Sequence, residues 1–212
     1  MKKLVYSLCI GFFCVLMFNS YFESTEAALA KEVIRFHVLA NSDEAYDQEL
    51  KLKVRERIIN EMSKMFDKNG DICDAREVIE SNLTKIKNIA KDEIQKNGYN
   101  YDVKVSLGKS EFPTKEYGEI VLPAGSYEAL IVEIGKGKGQ NFWCVLFPPL
   151  CFVDEGLVSC NTDAGKQLVS SLEPNDAELI KKDKSPKVLL KFKSYEMWQT
   201  GKQKLSYVLG LK

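Results

Sequence analysis

The segment from Asn141 to Asp154, NFWCVLFPPLCFVD, constrains the fold more than any other part of the chain. It is dense in aromatic and aliphatic residues, which are unfavourable in water, so the segment belongs to the core, to an interface or to both. Pro148 and Pro149 fix two φ angles and lack backbone donors, which excludes a helix interior or a central strand there. We therefore predict a short strand from Phe142 to Phe147, followed by a rigid bend that brings Leu150 back.

The N-terminus has the pattern of a secretory signal. Two lysines follow Met1, and Leu4 to Phe18 is an apolar run shorter than the roughly 20 residues that a membrane-spanning helix needs. Two sites suit signal peptidase, one ending at Ala27 and one, Ala28-Leu29-Ala30, ending at Ala30. We predict that residues 1–30 are a secretory signal peptide and that the rest acts outside the membrane it crosses. A retained membrane anchor is the alternative.

Export decides how the cysteines are interpreted, because disulfides persist in oxidising compartments. Cys144 and Cys151 flank the Pro-Pro bend in a short loop, and we predict that they form a disulfide. The alternative is that they are free and buried as small apolar residues. The chain has no C-x-x-C motif, which disfavours a thioredoxin-type redox site.

Length indicates one domain, and the balanced charge does not favour a charged partner. The chain has 212 residues with 30 basic and 30 acidic side chains. This balance gives no indication of nucleic acid or an anionic membrane surface as a partner. We predict an α+β signalling domain over residues 31–160 and a helical or extended C-terminal extension of unclear role over residues 161–212.

Hydrophobic periodicity predicts the elements of that domain. Residues 33–40 alternate as a strand, and apolar residues then recur at helical spacing over residues 45–66 and in a second helix that ends at Lys96. Alternation returns over residues 101–107 and 126–134. These patterns predict a mainly antiparallel sheet, in meander order, with two amphipathic helices packed on one face.

Two connections carry turn signals. Asn41, Ser42 and Asp43 follow the first strand, and we expect them to form a turn and to cap the first helix. The run Gly135 to Gly139, GKGKG, is predicted to be a flexible hairpin loop that leads into the aromatic segment.

No catalytic or metal site is predicted. His37 is the sole histidine, and a strand followed by a turn should direct it away from Ser42 and Asp43, so a Ser–His–Asp triad is disfavoured. The chain lacks G-x-S-x-G, and its histidine and cysteines have no zinc-ligand spacing. We expect Arg35 and His37 to form a polar face of the sheet, with no cofactor and no small-molecule substrate.

Two stretches resemble a known family. Ile34 to Asp43, IRFHVLANSD, followed by LKLKVR over residues 50–55, is similar to the start of stage II sporulation protein R. Asn141 to Asp154 is similar to the second signature of that family. The two stretches occur in the order expected, and the resemblance extends over roughly residues 33–155.

The resemblance implies an exported signalling protein that is not an enzyme. Such proteins pass from the forespore into the space between two membranes and activate a membrane-embedded aspartic protease, which processes the sigma-E precursor. The family provides no catalytic residues, and its motif positions are candidates for receptor contacts or for the fold. These positions are Arg35, His37, Asn41, Ser42, Asp43, Trp143, Cys144, Pro148, Pro149 and Cys151.

Two other functions stay open from the sequence alone. One is a secreted thiol-dependent enzyme that uses Cys73 or Cys160. The other is an interaction domain that is held at the membrane by an uncleaved N-terminal segment.

Overall fold

A computed structural model describes residues 28–66, 70–154, 157–160 and 162–181, with a few single positions before residue 14. From 151 to 164 it describes the backbone alone. The remainder of the predicted C-terminal extension, after residue 181, lies outside the described residues. None of the described helices is long and apolar enough to cross a membrane.

Residues 28–32 form a short helical segment ahead of the main elements. In chain order these elements are β1 (Ile34–Leu39), α1 (Ala45–Ser63), α2 (Ile72–Lys96), β2 (Val103–Phe112), β3 (Lys115–Tyr117), β4 (Ile120–Leu122), β5 (Gly125–Ile134), β6 (Asn141–Phe147), β7 (Cys151–Asp154), β8 (Leu157–Cys160), α3 (Thr162–Ser171) and α4 (Pro174–Ile180).

The main sheet has the order β2-β5-β1-β6. Strand β1 is parallel to β5 and antiparallel to β6, and β2 is antiparallel to β5. The sheet is thus mixed but mainly antiparallel, which confirms the predicted α+β class. The predicted meander order and the β5–β6 hairpin are wrong, because β1 lies between these two strands. Alternation along a strand shows which faces are buried, but it does not show which strand is the neighbour.

Helices α1 and α2 cover one face of this sheet, as predicted. Their buried apolar stripes meet the side chains of β1 and β5 that point to the same side. The core cluster of this layer includes Val54, Ile58, Met62, Ile79, Ile86, Ile94, Phe36, Val38, Leu130 and Val132. Arg76 of α2 also forms a salt bridge of 2.8 Å with Glu128 of β5, which connects the helix layer to the sheet.

The start of α1 differs from the prediction. Its N-cap is Glu44, whose side chain makes no capping hydrogen bond. Ser42 Oγ instead accepts from the Glu44 amide at 3.2 Å, and Asp43 binds a different part of the chain. The predicted cap at the start of α1 is therefore replaced by a local contact of Ser42 and a long-range contact of Asp43.

The opposite face of the sheet is covered by the β3–β4 hairpin. Tyr117 of β3 is buried there, and Ile120 of β4 pairs with Lys181 just after α4. Leu168 of α3 and Ile180 of α4 belong to the same hydrophobic cluster as the main domain. The first part of the segment after residue 160 is thus packed on the domain.

The aromatic segment forms the predicted strand and then leaves the sheet. Strand β6 ends at Phe147, and the Phe147–Pro148 peptide bond is cis. After the prolines, β7 pairs with β8 in a separate two-stranded sheet and not with β6. The bend therefore redirects the chain out of the main sheet.

Candidate functional site

Strands β1 and β6 place three of the predicted site residues on the sheet face opposite the helices. His37 is the register partner of Trp143, and Arg35 lies on the same side of β1 two residues earlier. Lys115 of β3 adds its ammonium group 4.9 Å from the Trp143 ring centroid. We call Arg35, His37, Lys115 and Trp143 the Trp143 face.

Arg35 is a buried charge held mainly by aromatic rings. Its side chain is 0% exposed. The guanidinium carbon lies 4.1 Å from the ring centroid of Phe112 and 4.9 Å from that of Tyr127, and Nη2 donates to Tyr117 Oη at 2.7 Å. Cation–π contacts of this kind offset part of the desolvation of a buried charge. Within the described part of the chain, Nε and Nη1 have no hydrogen-bond partner.

His37 lies between two rings and next to a serine. Its ring centroid is 5.7 Å from that of Phe112 and 6.0 Å from that of Trp143, on which it stacks. Its Nδ1 is 3.0 Å from Ser110 Oγ. Burial lowers the pKa of His37 below its usual value, against a smaller opposing effect of Asn141. The imidazole is therefore neutral at neutral pH.

Trp143 is half-buried between His37 and Lys115. Its indole Nε1 has no hydrogen-bond partner among the described residues. An indole N–H and a guanidinium donate and cannot accept. The Trp143 face therefore contains unpaired donors, all of which are buried in the free protein.

Asn41, Ser42 and Asp43 form a second, structural cluster. Asn41 Nδ2 and Ser42 Oγ donate to the same carboxylate oxygen of Asp47, at 2.8 and 2.6 Å. Asn41 Oδ1 accepts from the Lys136 amide at 3.0 Å, and Asp43 Oδ1 accepts from the Gln140 amide at 2.7 Å. These bonds fasten the β5–β6 loop to the start of α1.

Asp47, which the sequence did not single out, is the centre of this cluster. It is 1% exposed. Burial disfavours its charged form, but hydrogen bonds from Ser42, Asn41 and Tyr101 outweigh that effect and lower its pKa below the usual value. The sequence feature that could have identified Asp47 is its position in the first turn of α1, where acidic residues are stabilised.

The glycine loop is held in place and is not the free hairpin tip that was predicted. Gly135 has a φ of 59°, and a Cβ there would overlap the Asn41 side chain. A Cβ at Gly139 would overlap the carbonyl of Ser42. The absence of a side chain at Gly135 and Gly139 lets the loop approach the Asn41 turn closely. This close approach explains two of the three glycines in the GKGKG run.

The remaining predicted site residues lie around the end of β6. Cys144 and Pro148 are buried and Pro149 is half-buried. Cys151 starts β7, where its register partner on β8 is Cys160. The Cys144–Cys151 disulfide stays a prediction, because the side chain of Cys151 is outside the described part.

The Ser–His–Asp arrangement considered from the sequence does not assemble in the described residues. Ser42 and Asp43 bind Asp47 and the Gln140 amide and do not approach His37. Cys73 is exposed at the start of α2, on the side of the sheet away from His37. No group of three or more metal-ligating side chains occurs in the ranges that the structure describes. The Ser110–His37 contact was not predicted, since these residues are 73 positions apart.

The fold and these two clusters define a small α+β domain with buried donors on one sheet face. The family model of stage II sporulation protein R matches residues 30–156, which is more than half of the chain. The chain therefore belongs to the stage II sporulation protein R family and has a role in sporulation. Both clusters lie within the matched residues.

One curated relative supports the same family assignment. Stage II sporulation protein R of Bacillus subtilis (strain 168) is 45% identical over 132 residues. The alignment covers 62% of this chain and 59% of that protein, so it extends over less than two thirds of the relative. No solved structure gives a significant match.

Proposed function

We propose that the protein is an exported sporulation signal that activates a septal membrane aspartic protease, which then processes the sigma-E precursor. In this proposal the protein is secreted across the forespore membrane into the intermembrane space. It acts there as a ligand and not as an enzyme. Family membership supports the sporulation role, and the unpaired donors of the Trp143 face are the observation that carries the binding role.

The proposed mechanism is docking of the Trp143 face on the extracytoplasmic part of the protease. A buried donor without an acceptor costs about 1–3 kcal/mol, and Arg35 and Trp143 both carry such donors. In the free protein these donors are buried, so docking would have to expose them before carbonyl or carboxylate oxygens of the partner could satisfy them. Docking activates the protease to the extent that the active state offers those oxygens in better positions than the inactive state does.

Trp143→Phe tests this interface with little change in packing. Phenylalanine keeps an aromatic ring against His37 and Lys115 but removes the indole N–H. We expect processing of the sigma-E precursor in sporulating cells to fall by about tenfold or more, as for a central interface residue. The amount of exported protein should stay at the wild-type level.

Phe142→Leu is the matched control. Phe142 is the neighbouring aromatic residue of β6, points to the helix side and lies against Arg55, 4.7 Å from the guanidinium carbon. In cells that carry this variant, the protease should process the precursor normally at similar levels of the exported protein. Normal precursor processing in cells that carry Trp143→Phe would show that the indole N–H makes no essential contact.

An enzymatic function has one observation in its favour, the 3.0 Å contact between Ser110 and His37. A serine hydrolase also needs a third group that orients the histidine, and no described carboxylate is hydrogen-bonded to His37. We expect Ser110→Ala and Cys73→Ser to leave precursor processing unchanged. Loss of processing by either variant at normal protein levels would favour an enzyme.

A further inference from the structure

Leu29 lies in the core of the domain although it falls inside the predicted signal peptide. Its side chain is 0% exposed and belongs to the main hydrophobic cluster. Val33, four residues later, is also 0% exposed. The helical segment over residues 28–32 leads directly into Val33, and Ala30 packs partly against the cluster.

The two sites for signal peptidase differ in what they do to this contact. Cleavage after Ala30 would remove Leu29, whereas cleavage after Ala27 would keep it. Loss of a fully buried leucine leaves a cavity that the surrounding side chains fill only in part. Both sites have a small residue at the cleaved position, so the sequence motif alone does not distinguish them.

We propose that Ala27 is the processing site and that the mature protein begins at Ala28. The enzyme class is a signal peptidase that requires small residues one and three positions before the cut, here Ala27 and Thr25. Leu29 then remains as the first core residue of the mature domain. This inference rests on the export in the proposed function.

The N-terminal peptide of the exported protein, produced from the full chain, tests this inference by mass spectrometry. We expect a peptide that starts at Ala28. A peptide that starts at Lys31 would overturn the inference and leave export intact. An uncleaved chain would overturn both the inference and the diffusible signal of the proposed function.

Two substitutions locate the cut independently. Ala27→Gln should reduce the peptide that begins at Ala28 by more than tenfold, because glutamine is too large for the cleaved position. Ala30→Gln should leave that N-terminus unchanged. The reverse pattern would overturn the proposal, and the peptide is informative even if a variant folds poorly.

Leu29→Ala supplies a readout on the folded protein. If the mature chain keeps Leu29, this variant should lower the Tm of the exported protein by several degrees, because a core side chain is truncated. If processing removes Leu29, the mature variant and the mature wild type are identical. An unchanged mass and Tm would therefore overturn the proposal.

Discussion

Asp47 shows how a single buried carboxylate organises the residues around it. Asn41 and Ser42 both donate to it, and the turn that they form also binds the amides of Lys136 and Gln140. Hydrogen bonds to a buried charged group are stronger than neutral ones. We therefore interpret the Asn41 turn as a structural motif that acts through Asp47, in contrast to the Trp143 face.

Asp47→Asn should destabilise the protein by about 2 kcal/mol, since the two strongest hydrogen bonds lose their charged acceptor. Urea denaturation of the purified exported protein would measure the change. Asp92→Asn is the control, because Asp92 is 53% exposed in its pair with Lys96 and should change stability little. Equal effects of the two substitutions would show that the Asp47 cluster does not stabilise the fold.

The lowered pKa of the Asp47 carboxylate predicts that the protein loses stability at low pH. The pKa of Asp47 is lower in the folded protein than in the unfolded chain, so the unfolded state binds more protons between the two values. The stabilisation is complete above the unfolded value of about 3.9. It is lost as the pH falls through the folded value. Denaturation at a series of pH values should show this decline, and Asp47→Asn should make it shallower.

At the scale of elements, the β5–β6 connection is ordered by its contacts. Because β1 lies between β5 and β6, the loop has to cross the end of β1. It does so directly over the Asn41 turn, where the amide of Gly139 donates to the Ala40 carbonyl at 2.9 Å. Lys51 of α1 fixes the far end through a bond of 2.9 Å from Nζ to the Gln140 carbonyl.

Gly139→Ala should destabilise the protein by about 1–3 kcal/mol, because the added methyl group would overlap the Ser42 carbonyl and force the loop away. Thermal unfolding would record a lower Tm. Gly108→Ala is the matched control, since a Cβ at Gly108 has no atom within 4 Å. A normal Tm for Gly139→Ala would mean that the loop moves aside at no cost.

At the scale of the whole molecule, the cysteine pairing around the Pro-Pro bend is a further prediction. Cys144 is buried in β6, while Cys151 and Cys160 are backbone register partners in the β7–β8 pair. We predict that the exported protein is about two mass units lighter than its reduced form, as one disulfide requires, and that peptide mapping joins Cys144 to Cys151. A Cys144–Cys160 or Cys151–Cys160 peptide would contradict this pairing, and full alkylation without reduction would exclude a disulfide.

Much of the local structure was predictable because it follows from periodicity. Both helices of the main layer, strand β6 and the α+β class appear as expected, since an amphipathic pattern fixes which side of an element is buried. The Trp143 face was partly predictable for the same reason. Alternation along β1 places Arg35 and His37 on the same side of that strand. Alternation along β6 shows which residues share a side with Trp143, but it does not show whether that side is the one of Arg35 and His37.

Tertiary structure alone decided how these elements meet. The insertion of β1 between β5 and β6, the contact of Ser110 with His37 and the aromatic cage of Arg35 join residues far apart in the chain. Local patterns carry no information about such partners, because the free energy of pairing depends on which surfaces meet after the chain folds. The sequence by itself determined the elements and the family motifs. Only the tertiary structure showed that the Asn41 turn binds Asp47 and that Arg35, His37, Lys115 and Trp143 meet on one sheet face.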